Sequence, residues 1–108
     1  MLLRSLALAV LALTAVGCAG PDPCTGSPCP SDSHPSSTQY QDCVDRHRRE
    51  QSSKCYTQNF NYEVCVQQST VCTDGKTDLS KTLNSISTNC KMAQDSVVCC
   101  ALGLSTCK

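Results

Sequence analysis

The chain has no tryptophan, one phenylalanine and three tyrosines in 108 residues. It also lacks any C-x-x-C pair, any Asn-x-Ser/Thr sequon and any glycine-rich phosphate loop. Each absence excludes something. Zinc sites want closely paired ligands, and the only histidines, His34 and His47, lie far from any such pair, so no metal is expected. N-glycosylation has no acceptor, and nucleotide cofactors have no fingerprint. No serine or cysteine can be given a histidine base from the sequence, so an enzyme is not expected and no cofactor is implied. The formal net charge is zero, which leaves no global field to draw nucleic acid or an anionic membrane.

Large aliphatics are scarce as well. Beyond Ala19, Leu, Ile, Val and Phe make up twelve of eighty-nine residues. Below about 20% such residues rarely offset the entropy of ordering a chain by apolar burial alone. Cysteine is abundant instead, with eleven in the chain. That density marks a disulfide scaffold of an oxidising, extracellular compartment. Each bridge contributes about 2–4 kcal/mol by restricting the unfolded chain.

The one unbroken apolar run, Leu6 to Val16, follows Arg4 and precedes the small residues Gly17, Cys18, Ala19 and Gly20. This is the layout of a signal peptide covering residues 1–19, and the run is well short of the roughly 20 residues that cross a bilayer. Cleavage after Ala19 leaves ten cysteines, an even set for five bridges. Thr14-Ala15-Val16-Gly17-Cys18 also resembles the end of a bacterial lipoprotein signal. In that reading Cys18 is lipidated and holds the protein on an outer membrane.

Residues 20–38 contain all five prolines with many serines and threonines, and read as a stiff, partly extended tail. Cys24 and Cys29 lie within it, and a local Cys24–Cys29 loop is the simplest pairing. Residues 39–108 read as a stapled all-α domain of three helices, or four if the last segment breaks near Asp95-Ser96. Thr38 to Gln41 fits a capping box opening a first helix over about 39–56. Its face carries Asp42 with Arg46, Asp45 with Arg49, and Glu50 with Lys54 at the favourable i,i+4 spacing. Asn59 caps a second helix containing Phe60, Cys65 and Cys72, and Thr73-Asp74-Gly75 reads as a turn. Leu79, Leu83, Ile86, Cys90, Ala93, Val97, Cys100, Leu104 and Cys107 form a continuous apolar stripe of helical period.

Helix geometry restricts the bridges. At about 1.5 Å per residue, Cys65 and Cys72 stand about 10 Å apart and Cys43 and Cys55 about 18 Å, beyond the roughly 7 Å a disulfide spans. If Cys24 pairs with Cys29, the remaining bridges must join Cys43, Cys55, Cys65 and Cys72 to Cys90, Cys99, Cys100 and Cys107. A helix ending at Gly103 would open one exception, Cys107 folding back to Cys100. Vicinal Cys99 and Cys100 point about 100° apart and should reach different partners.

Two sequence features remain for function. Arg46-His47-Arg48-Arg49 is the one dense basic cluster. It reads as a solvated helix face or as a partner-contact patch of Arg46, Arg48 and Arg49, and it resembles a proprotein-convertase site. Tyr56, Phe60 and Tyr62 form the only aromatic group and read as core. The expectation is a secreted, toxin-, pheromone- or signal-like ligand for an extracellular protein or receptor. The alternatives are the Cys18 lipoprotein and a structural component of an extracellular matrix or secretion.

Overall fold

The computed structural model describes residues 21–104. The expected signal peptide, Cys18 and Cys107 lie outside the described residues. Four helices carry the fold: α1 (Ser37–Glu50), α2 (Tyr56–Gln68), α3 (Leu79–Asn89) and α4 (Lys91–Leu102). A two-stranded antiparallel hairpin, β1 (Cys72–Thr73) and β2 (Lys76–Thr77), sits between α2 and α3, and a 3-10 turn at Pro23–Thr25 precedes α1. The domain is mostly helical, as its sequence indicates.

Local chemistry explains the boundaries. α1 starts two residues earlier than the Thr38 signal implies. Ser36 is the N-cap, its hydroxyl accepting from the Gln39 amide at 3.2 Å while Gln39 Oε1 accepts from the Ser36 amide at 2.9 Å. The helix stops at Glu50, short of the expected 56, and Cys55 enters α2 in the left-handed region at φ 68°. Asn59 therefore lies inside α2 rather than capping it. Asp78 caps α3 through the Lys81 amide at 3.0 Å. Gly103 closes α4 in a Schellman arrangement, with its amide on Cys100 O at 3.1 Å and the Leu104 amide on Cys99 O at 3.2 Å. The Asp74-Gly75 turn has φ of 53° and 80°, the double positive φ that a two-residue hairpin favours.

The break in the last segment falls at Cys90, not at Asp95-Ser96. The expected apolar stripe is consequently no core seam. Leu79 is 69% exposed, Leu83 57% and Leu104 52%. The apolar side chains that are buried among the described residues are those of Cys24, Cys29 and Cys90. The polar residues buried beside them are satisfied locally. Thr82 Oγ1 accepts from the Val71 amide at 2.9 Å, and Ser69 Oγ lies 3.2 Å from Cys90 Sγ.

The bridges correct the expected pairing of the tail. Cys24 joins Cys43, and Cys29 joins Cys72, so no Cys24–Cys29 loop exists. Two of the bridges expected between the middle and last segments do form, Cys55–Cys100 and Cys65–Cys90, which leaves no fold-back from Cys107 to Cys100. Cys99 is also oxidised and is not joined to Cys100. The physical reason for the correction is that the Pro/Ser segment is docked rather than extended. Asp22 caps the 3-10 turn through the Cys24 amide at 3.0 Å and accepts from Tyr40 Oη at 2.5 Å, which sets Cys24 against α1. The following stretch clasps the hairpin. The Ser31 amide donates to Gly75 O at 2.7 Å, and Asp32 accepts from Ser27 Oγ at 2.5 Å and from the hydroxyl and amide of Thr77. At Gly75, where φ of 80° already favours glycine, a Cβ would stand 2.6 Å from Ser31 Oγ and would turn that hydroxyl aside.

Two outcomes follow from these contacts. The hydroxyls of Ser27 and Thr77, then the Thr77 amide, hold the Asp32 carboxyl below its ordinary 3.8. A carboxyl depressed on folding stabilises fully above its unfolded value and loses that contribution as pH falls through the folded one. Asp32→Asn should therefore lower the melting temperature at neutral pH and flatten its decline towards acid, measured by thermal melts between about pH 2 and pH 7. The second outcome concerns reduction. Three bridges each include a buried cysteine, Cys24, Cys29 or Cys90, whereas Cys55 and Cys100 are both partly exposed. Limiting thiol followed by alkylation and peptide mapping should label Cys55 and Cys100 before Cys65 and Cys90, of which neither is exposed and Cys90 is buried; early labelling of Cys90 would contradict this order.

Candidate functional site

Cys43 and His47 lie one turn apart on α1, so both project to the same side. That side faces α2 and the docked tail. His47 is therefore no member of a solvated basic face: its side chain is only 12% exposed. It stands edge-on to Tyr56 and Phe60, with centroids 6.0 and 5.8 Å away, and these two rings stack at 5.9 Å. The aromatic group of the sequence is thus His47, Tyr56 and Phe60, half-buried between α1 and α2, while Tyr62 turns elsewhere.

The other ring edge of His47 matters more. Nδ1 lies 3.4 Å from Tyr56 Oη. Nε2 is enclosed and sits 3.2 Å from Glu63 Oε2, but off the line of a hydrogen bond, so it has no hydrogen-bond partner. Buried polar atoms are nearly always paired, and an exception points to strain or to a binding site. Here the histidine borders a groove of about 440 Å³. Val66, Tyr62 and Pro23 give it apolar walls, and Arg46, Glu63 and Gln67 stand around them. Gln67 is itself committed, its Nε2 lying 2.9 Å from both Gly26 O and Thr25 Oγ1 of the tail. The volume falls in the range of ligand and anchor-residue pockets.

His47 also gathers with the sulfurs of Cys24 and Cys43, the ligand-type atoms all within 4.8 Å. The two sulfurs are bonded to each other. A bridged sulfur is not a thiolate, so the trio is an imidazole packed on a disulfide rather than a set of metal ligands.

The three arginines separate in their roles. Arg48 is 72% exposed and pairs with Asp45 at 3.7 Å, an i,i+3 contact in place of the expected i,i+4 partners. Arg46 and Arg49 make no ion pair among the described residues. They flank a second depression of about 410 Å³ with Asp42 and Gln39, and Arg46 and Cys43 line both this and the larger groove. Arg46 and Arg49 thus border neighbouring recesses without a carboxylate partner among the described residues, while Arg46 Nη2 lies 4.0 Å from Cys43 Sγ. A cut after Arg49 would leave the two pieces joined among the described bridges only by Cys29–Cys72.

Sequence reasoning found the arginines and missed His47, Glu63 and Val66. The i,i+4 relation of Cys43 to His47 was the available signal, since a bridged cysteine faces inward and takes its helical neighbour with it. Glu63 and Val66 carried no signal, because what brings them to α1 is the packing of two helices.

No protein-family model, curated protein or solved structure matches the chain.

Proposed function

We propose that this is a secreted, disulfide-stapled ligand that acts by binding an extracellular protein partner and catalyses no reaction. Toxins, pheromones and signalling peptides act in this way. The observation that supports it best is the pair of recesses along α1, the larger apolar at its walls, bordered by Arg46 and Arg49, which lack carboxylate partners among the described residues. An anchor side chain fits the larger groove, and an acidic surface complements the arginines. Four bridges fix both helices that form the recess, so little entropy is lost on binding. No described helix is long and apolar enough to cross a membrane, which agrees with an extracellular domain.

The test is a charge reversal. Arg46→Glu with Arg49→Glu should weaken binding of the labelled protein to the surface of responding cells by about tenfold or more, while the helical circular dichroism is unchanged. Equal binding by the double variant would overturn the arginine surface. Insolubility or interchain bridges in the natural material would favour the matrix role instead.

A second reading rests on the lipoprotein-like sequence Thr14 to Cys18, and cysteine parity fits it and cleavage after Ala19 equally. All nine described cysteines are oxidised, and eleven is odd, so one cysteine of the chain has no intrachain partner. Cys18, behind its lipoprotein-like sequence, is the candidate. Intact mass of the natural protein separates the readings. A start at Gly20 with ten alkylated cysteines after reduction supports the soluble ligand. A start at Cys18 with added acyl mass supports the membrane-anchored lipoprotein.

A further inference from the structure

The connection between α1 and α2 is the most exposed stretch of the described chain. Arg48 through Lys54 all lie at the surface, the longest such run among the described residues, and none of them has an apolar side chain. α1 ends without a glycine cap. Gln51 keeps helical angles, φ −54° and ψ −33°, and the Glu50 carbonyl accepts from the Ser53 amide at 2.9 Å. Arg48 meets Asp45 at 3.7 Å on the surface, while Arg46 and Arg49, both exposed, have no carboxylate partner among the described residues. Helix ends of this kind open at little cost, and exposed connections of small and polar residues are where chains are nicked.

We infer that this connection is a maturation site, at which an endoprotease specific for clustered basic residues hydrolyses the Arg49–Glu50 peptide bond and leaves a two-chain protein. Water adds across the bond: the C–N bond breaks, Arg49 gains a carboxylate and Glu50 an amine. Arg49 stands directly before the break, Arg48 beside it and Arg46 two residues further back, and three guanidinium groups complement an acidic cleft. Such a cleft takes an extended strand, so the last turn of α1 unwinds. What resists is the packing of His47 on Tyr56 and Phe60. Basic residues in a last turn also suit the helix dipole, and that role alone would leave the bond intact.

The bridge pattern shows that α1 does not rely on the connection for its place. The element whose backbone it meets most extensively is the 3-10 turn at Pro23–Thr25. Cys24–Cys43 ties α1 to that turn, and Cys29–Cys72 ties the tail to the hairpin. Cys55–Cys100 and Cys65–Cys90 lie wholly beyond the break. A covalent route from α1 to α2 therefore survives the cut through the tail, and both pieces stay together until reduced.

The two-chain form is independent of partner binding and is read by mass. Natural secreted protein, collected under protease inhibitors, should weigh one water more than the uncut chain before reduction. After reduction it should give one piece ending at Arg49 and another beginning at Glu50. A proprotein convertase acting on the fully oxidised protein should make the same cut, releasing neither piece until thiol is added. Arg49→Ala should slow that cut by about tenfold or more with the helical circular dichroism unchanged. A natural chain that still holds the Arg49–Glu50 bond after reduction would overturn the inference, as would a cut at another bond of the connection or equal cutting of the Arg49→Ala variant.

Discussion

Sulfur takes the place that hydrocarbon holds in most domains. The apolar residues enclosed among those described are three cysteines, and each belongs to a different bridge. The aliphatics are too few to build a centre, and several of the largest stand in water. What fixes the helices is therefore a set of covalent ties, each closing a span of 19 to 45 residues. Loops of this length restrict the unfolded chain strongly, which is where a disulfide exerts most of its effect. Reduction would remove the main restraint and leave helices with little apolar surface to hold them together.

The Pro/Ser segment shows how such a scaffold recruits residues that a hydrophobic core would leave outside. Cys24 and Cys29 fasten it at two points, to α1 and to the hairpin. On either side of these two cysteines, short polar contacts do the positioning. Asp22 organises the 3-10 turn and Tyr40, and Asp32 gathers Ser27 and Thr77. The docked segment contributes Pro23 and Gly26 to the larger groove, so the recess beside Arg46 depends on the tail being in place.

Much of this architecture was legible in the sequence. Helical spacing, the acid-base pattern and the Asp-Gly turn located the helices and the hairpin turn approximately; Cys43–Cys55 and Cys65–Cys72 are not bridges, but neither pair shares a helix, because Cys55 follows the end of α1 and Cys72 lies in β1 rather than in the second helix. Pairing across elements was harder. Sending every core bridge to the last segment requires a local Cys24–Cys29 loop, which proline content suggests because a proline-rich stretch has no period to report its docking. The break at Cys90 was hidden for a related reason. A stripe of leucines and cysteines at helical spacing looks like one buried seam, yet the cysteines turn inward while Leu79, Leu83 and Leu104 remain exposed. At the candidate site, the arginines announced themselves by charge, whereas Glu63 and Val66 reach the groove only through the packing of α2 on α1.

The near absence of buried aliphatic side chains has a thermodynamic consequence. The heat-capacity increment of unfolding comes mainly from exposing apolar surface to water. A protein that hides so little of it should have a small increment for its length, and hence a shallow stability curve. Its folded state would lose little on cooling and yield gradually on heating, in the manner of a cross-linked network rather than a droplet.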